Sequence, residues 1–277
     1  MKTIGNMLYR EENGVGILSF RAWEALPFVR DAFSTRLGGV SEREFSSMNL
    51  AFGRGDPEEN VRENYRRFCA AAGFSYEAAV SSAQVHDTVI RRVGMENAGC
   101  GIWKPQEAPG TDGLVTDEPG VVLVTHYADC VPLYFADPER RCIGLAHAGW
   151  RGTAAEMGKK MVERMCAEFG SRPESLHAAV GPSIGPCCYE VDAPVAEQFS
   201  TIEGVPPESI LTAHGEGKFL LNLWECNRRI LEAAGVPAGQ IAVGEVCTMC
   251  HSDLLFSHRA TGGVRGGLAA FLSICES

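Results

Sequence analysis

Residues 120–147 read GVVLVTHYADCVPLYFADPERRCIGLAH. Three strand candidates, Gly120–His126, Val131–Ala136 and Arg141–His147, follow one another with only a few residues between them. Each has strand length and β-branched or aromatic content, and Asp137-Pro138 marks a turn between the last two. Parallel neighbours in a sheet need a crossover of about a dozen residues or more, for which there is no room here. The spacing therefore predicts mixed or antiparallel sheets and an α+β chain, not a regular βαβ alternation.

Further strand candidates lie outward from this block at Val15–Phe20, Phe28–Ser34, Ala79–Gln84, Leu176–Gly181, Ile241–Val246 and Gly267–Ile274. Helices are expected at three places. Asp56-Pro57-Glu58-Glu59 offers an N-cap and a proline at N1, and Val61, Tyr65, Phe68, Cys69 and Ala72 recur at helical spacing up to Gly73. Thr153-Ala154-Ala155-Glu156 reads as a capping box before Met157, Met161 and Met165. Asn222 with Glu225 opens a third helix that runs to Gly235. There is no internal repeat or long linker, so the expectation is one domain over residues 1–277.

The chain has 277 residues, a formal charge of −10, 45% hydrophobic and 22% charged side chains, and a mean hydropathy of −0.05. This is the composition of a globular chain with a sizeable core. The acidic balance argues against a nucleic-acid or anionic-membrane partner, and the longest apolar runs are too short to span a bilayer. The first dozen residues lack an apolar signal core, so the expected compartment is the cytoplasm. There the eleven cysteines read as reduced thiols, some structural and some metal-binding.

Chemistry-bearing residues gather where strand pattern ends. Gln84-Val85-His86 closes one strand, Ala128-Asp129-Cys130-Val131-Pro132 joins two, and His147-Ala148-Gly149-Trp150-Arg151-Gly152 follows another. Two imidazoles and a thiolate would suit Zn²⁺ or copper with one position left open, a catalytic pattern. On spacing alone the same residues read more readily as two end-of-strand histidines and a buried small cysteine. The turn at 147–153 offers glycines for close approach, a helix start and the planar donor fork of Arg151, which suits phosphate or carboxylate. A second arginine, Arg36, sits in the Gly-rich turn Ser34–Ser41.

Other motifs narrow the function by elimination. Cys247-Thr248-Met249-Cys250-His251 matches covalent haem attachment, a reading that would require export. Whether these cysteines join Cys187 and Cys188 in a metal cluster is a question for the fold. Gly215-Glu216-Gly217-Lys218 lacks the leading glycine and trailing Ser/Thr of a phosphate loop, and no G-x-G-x-x-G follows a strand. Pro186-Cys187-Cys188 has the wrong spacing for a nucleobase deaminase.

The segments Thr35–Ser41, Ser47–Leu50, Gln84–His86, Asp112–Thr116, Ala128–Pro132, His147–Gly152, Gly181–Val191, Cys247-Thr248 and Phe256-Ser257-His258-Arg259 together resemble the bacterial laccase-like "polyphenol oxidase" family, now regarded as purine nucleoside phosphorylases with adenosine deaminase activity. They occur in the family's order over most of the chain. The resemblance implies a layered αββα sandwich and a metal, usually zinc, on His86, Cys130 and His147. It implies purine nucleosides (adenosine, inosine, S-methyl-5′-thioadenosine) and phosphate as ligands. The family commonly reads Thr-Gly-Arg before a last apolar strand, where this chain has Gly263-Val264-Arg265.

Arg36, Arg151 and the helix start after Gly152 are then the candidates for holding phosphate. Asp129 is the candidate for moving a proton in deamination, or for orienting a ligand histidine. Two other mechanisms use the same residues. Cys130 activated by His147 would cut amides, for instance in cell-wall precursors. Copper at a His₂Cys site would oxidise phenols weakly, although a multicopper enzyme needs His-x-His pairs that these seven histidines do not form. The expected assembly is a monomer or homodimer.

Overall fold

The computed structural model describes residues 2–107 and 109–275. Its strands in chain order are β1 (Lys2–Ile4), β2 (Met7–Glu12), β3 (Val15–Phe20), β4 (Val29–Ser34), β5 (Ala79–Ser81), β6 (Ile90–Arg92), β7 (Gly113–Thr116), β8 (Val122–Tyr127), β9 (Val131–Asp137), β10 (Cys142–Ala148), β11 (His177–Val180), β12 (Glu190–Asp192), β13 (Leu211–Ala213), β14 (Lys218–Leu221), β15 (Ile241–Val243) and β16 (Leu268–Ile274). The helices are α1 (Glu58–Ala72), α2 (Trp150–Ala154), α3 (Met157–Phe169), α4 (Ala193–Glu197), α5 (Leu223–Ala233) and α6 (His258–Thr261). One sheet has the order β1-β2-β3-β4-β16-β8-β5 and a second the order β15-β11-β9-β10-β7-β6, with a small β12-β14-β13 sheet beside them. Both large sheets are mixed: β5·β8, β11·β15 and β6·β7 are parallel and their other pairs antiparallel.

The two large sheets pack face to face, so their central strands are buried on both sides and read as continuous apolar runs. Along β16, Ala270 and Leu272 point between the sheets while Ala269 and Phe271 point outward to α1. Along β9, Tyr134 and Ala136 face the first sheet while Leu133 and Phe135 face the helices behind. Helix α1 covers the outer face of the first sheet with Val61, Tyr65 and Phe68. Helices α3 and α5 cover the second with Met157, Met161, Met165, Ile230 and Leu231. The result is the layered αββα sandwich expected, in one α+β domain.

Two helix starts depart from expectation. Asp56 does not cap α1, because its carboxylate accepts hydrogen bonds from Ser41, Asn49 and Asn60; the helix begins behind Pro57. The capping box at Thr153 does not form. Thr153 is buried, and its hydroxyl is taken by Asn227 of α5 at 3.0 Å. The chain instead turns early, into α2 at Trp150, and breaks at Glu156, whose φ is +56°. The third start holds: Asn222 Oδ1 accepts from the Glu225 N–H at 3.1 Å.

Candidate functional site

Strand register builds the site. In the β9–β10 pair, Val131 lies opposite Ala148 and Pro132 opposite His147, so Cys130 is carried to the same end as His147. On the other flank Gly113 of β7 pairs with Ala146, which sets Asp112 beside His147. Strand β6 runs parallel to β7 with Ile90 opposite Gly113, and the loop entering β6 therefore brings His86 to that same end. The ligand atoms of His86, Cys130 and His147 all lie within 4.8 Å of one another. The three candidates remote in sequence do converge, as expected.

Asp112, fully buried, organises the cluster. Its Oδ1 is 2.9 Å from His147 Nδ1, which turns Nε2 toward Cys130. The same carboxylate accepts the backbone N–H groups of Val85, His86 and Asp87 at 2.9–3.1 Å. One side chain thus orients the His147 ring, as the usual partner of a ligand imidazole does, and fixes the backbone that carries His86. Orientation of a ligand histidine had been one reading of Asp129; the fold gives that place to Asp112. Burial pushes the Cys130 thiol up, but the charge and hydrogen bond of His147 and those of His86 outweigh it and bring it to about 6. Burial pulls His147 down, and Cys130 and Asp112 more than compensate, raising it to about 9. The pair therefore favours thiolate and imidazolium where no cation is bound.

A side chain at Gly149 would crowd the cluster. A Cβ there would stand 3.0 Å from Cys130 Sγ and 3.2 Å from His86 Cδ2. Gly152 is under no such constraint, since the nearest atom to its Cβ would be 3.5 Å away. His86 and Asp129 adopt left-handed backbone, φ +65° and +88°, a conformation that side chains other than glycine adopt at a cost and that recurs at functional sites.

The cluster opens into a cavity of about 740 Å³ whose wall includes Asp129, Arg151, Tyr189, Arg54, Arg259 and Arg265. Arg151 is on this wall, stacked over Trp150 at 4.3 Å. Asp129 is there too, its carboxylate held by the Thr248 hydroxyl at 2.6 Å and the Arg259 backbone N–H at 2.7 Å. Arg36 is not. Its guanidinium donates to the carbonyls of Ser46 and Ser252, both at 2.9 Å, and lies over the Phe256 ring, so it pins two loops together. The phosphate-binding candidate after Gly152 also moves, because α2 starts before that glycine and is a single short turn.

Sequence reasoning missed Arg54 and left Arg265 open. Arg265 is buried on the cavity wall, donates from Nη1 to the Gly266 carbonyl at 3.0 Å, and keeps its buried Nε without a hydrogen-bond partner among the described residues. Burial and then the neighbouring Arg54 charge bring its guanidinium down to about 10. Among the described residues neither arginine is in a salt bridge. Two guanidiniums outside any salt bridge are a donor set whose chemistry suits an anion, with the Asp129 carboxylate also acting on Arg265. The loop carrying Arg54 is fixed from the N-terminal motif: Asn49 Oδ1 accepts from Ala51 and Gly267 N–H groups, and its amide donates to Asp56. His126 on the same wall shares a 2.6 Å hydrogen bond with the Tyr65 hydroxyl, and burial lowers it to about 4, so it stays neutral.

No helix among the described residues is long and apolar enough to cross a membrane. Comparison with known proteins gives matches along nearly the whole chain. The family described as multi-copper polyphenol oxidoreductase laccase matches residues 30–275. The purine nucleoside phosphorylase YlmD of Geobacillus stearothermophilus is 42% identical over 242 residues, 86% of this chain and 88% of that protein. The adenosine deaminase RL5, from an unknown prokaryotic organism, is 32% identical over 234 residues, 84% of this chain and 89% of that protein. The crystal structure of YlmD from Geobacillus stearothermophilus superposes with a TM-score of 0.91 at 37% identity, covering 99% of this chain and 100% of that one.

Proposed function

The chain belongs to the multi-copper polyphenol oxidoreductase laccase family, and from that membership and the geometry of the cavity we propose a zinc-dependent purine nucleoside phosphorylase with adenosine deaminase activity. Its substrates are adenosine, inosine and S-methyl-5′-thioadenosine, and its products the free base and ribose 1-phosphate or its methylthio analogue. The whole chain acts as one catalytic domain, since the cavity draws its lining from Ala51 to Gly267. The observation that carries this reading is the His₂Cys donor set and an unpaired arginine pair on the walls of one cavity. Phosphorolysis needs an anion pocket beside C1′ and a means of stabilising the leaving purine.

His86, Cys130 and His147 hold the cation, and their donor chemistry fits Zn²⁺, with copper the alternative. When bound, that ion supplies Lewis acidity toward substrate oxygen or nitrogen. Arg54, Arg265 and Arg151 neutralise phosphate and position it for attack at C1′, taking the role first given to Arg36. As the glycosidic bond breaks, its electron pair leaves with the purine. Asp129, beside Cys130, moves the proton in the deamination half. A sequence with eleven cysteines, read as reduced thiols and metal ligands, supports a reducing cytoplasmic setting. We place the protein there as a monomer or homodimer.

The approach of Cys130 Sγ to the His147 and His86 imidazoles, which holds its thiol below the usual range, favours a second reading, a cysteine amide hydrolase. Chromatography of adenosine incubations separates the two. Phosphate-dependent adenine and ribose 1-phosphate, lost in Cys130→Ala, support phosphorolysis, and phosphate-independent inosine supports the deaminase. No turnover of either nucleoside by zinc-loaded protein would transfer the claim to amide substrates.

A further inference from the structure

Of the eleven cysteines, Cys69, Cys100, Cys142 and Cys226 are buried in the packed cores, as small apolar residues are. Four others behave differently. Cys187 and Cys188 lie in the loop after β11, and Cys247 and Cys250 in the loop after β15. Because β11 and β15 are parallel neighbours, the two loops leave the sheet side by side. They stay paired: Ser183 N–H donates to the Val246 carbonyl at 3.2 Å, and Thr248 N–H to the Ser183 carbonyl at 3.0 Å. The four sulfur atoms come to lie within 4.8 Å of one another, with Cys250 Sγ 3.5 Å from both Cys187 Sγ and Cys188 Sγ.

We propose that Cys187, Cys188, Cys247 and Cys250 form a second metal site, a closed four-thiolate site for Zn²⁺, separate from the His86–Cys130–His147 centre. Tetrahedral zinc with Zn–S bonds of about 2.3 Å places its sulfurs about 3.8 Å apart, within the spread found here. The Gly185 N–H donates to Cys247 Sγ at 3.3 Å, the outer hydrogen bond that a ligating thiolate accepts. Gly185 allows this approach: a Cβ on it would be 2.6 Å from the Trp224 ring and 3.2 Å from Cys247 Cβ. Four protein ligands leave no open position, so the role is structural. Cys187 and Cys250 are exposed, which gives the ion a route in.

The staple has a consequence for the cavity. The first loop carries Ile184 and Tyr189, both on the cavity wall, and its Ile184 N–H donates to the Asp129 carbonyl at 3.0 Å. The second carries Thr248, whose hydroxyl holds the Asp129 carboxylate. Clamping the loops together therefore fixes the turn that presents Cys130. The four thiols lose their S–H protons to solvent as their sulfurs bind the cation, with no change of oxidation state. This inference does not depend on which reaction the cavity performs.

The test is metal content by mass spectrometry on protein purified anaerobically with reductant and loaded with Zn²⁺. Wild type is expected to retain two equivalents, Cys130→Ala one, and Cys187→Ser/Cys250→Ser one. Cys130→Ala loaded with Co²⁺ is expected to show the intense sulfur-to-metal charge transfer and tetrahedral bands of a four-thiolate site. That measurement stands even if the double serine variant fails to fold. A metal-free Cys130→Ala protein, a Co²⁺ spectrum without thiolate character, or a persistent disulfide among the four cysteines in the reduced protein would overturn the proposal.

Discussion

The His86–Cys130–His147 centre and the Cys187–Cys188–Cys247–Cys250 cluster are built on opposite plans. The first is assembled at the ends of neighbouring strands whose register is fixed by burial on both faces, and its orienting group, Asp112, enters from a third strand. It keeps one side open to a cavity. The second is assembled from two loops, with four identical soft donors that leave no coordination position free, two of them exposed to solvent. The contrast teaches that a sheet can hold a reactive, incompletely surrounded site rigidly without help, whereas loops that must wall the same cavity need a clamp of their own.

The largest effect that would separate the two regions is loss of the strand-end centre alone. Gly149→Ala presses a methyl group against Cys130 and His86, so metal affinity at that centre should fall by about 100-fold while the four-cysteine equivalent stays bound. Equilibrium dialysis checks this, and equal loss at both sites would break the comparison. Next in size, Asp112→Asn leaves the ligands in place but removes the carboxylate behind both histidines. Affinity at the centre should drop by roughly 10–100-fold. Isothermal titration of metal-stripped protein reads the change.

The anion wall predicts a smaller and selective effect. Arg265→Met, or Arg54→Met, should raise the KM for phosphate by about tenfold, the scale of one charge-assisted contact, and leave phosphate-independent deamination within about twofold. A parallel loss of both activities would mean that these arginines hold the fold and not the anion. Smallest of all, Cys187→Ser should lower the melting temperature by a few degrees, the scale of about 1 kcal/mol, and lower kcat only a few-fold. Calorimetry on the zinc-loaded protein checks it. Abolished activity with an unchanged melting temperature would contradict a purely structural clamp.

Much of this arrangement could be read from the chain itself. The strands from Val122 to Ala148 are legible because continuous apolar runs, cut by an Asp-Pro turn, have few alternatives. That hairpin already implies that Cys130 and His147 are neighbours. His86 is different: it arrives through β6, a three-residue strand of half-exposed residues with no alternation to reveal it. Asp112 heads one of the family segments, Asp112–Thr116, but its role was hidden because a buried carboxylate is recognised by its partners, which only register supplies. The false capping box at Thr153 is a case of tertiary contact overriding a local signal, since Asn227 of a distant helix claims its hydroxyl. Arg36 shows the reverse error: an arginine in a Gly-rich turn looks like an anion ligand until the carbonyls it satisfies are seen.

The most direct test of the account is a zinc titration of metal-stripped protein, following phosphate-dependent release of adenine from adenosine beside the Cys130→Ala variant. The account predicts that release rises to a plateau as the His86–Cys130–His147 centre fills, and that the variant stays inactive at every zinc concentration. Full phosphate-dependent release by the stripped protein, or by Cys130→Ala, would contradict it.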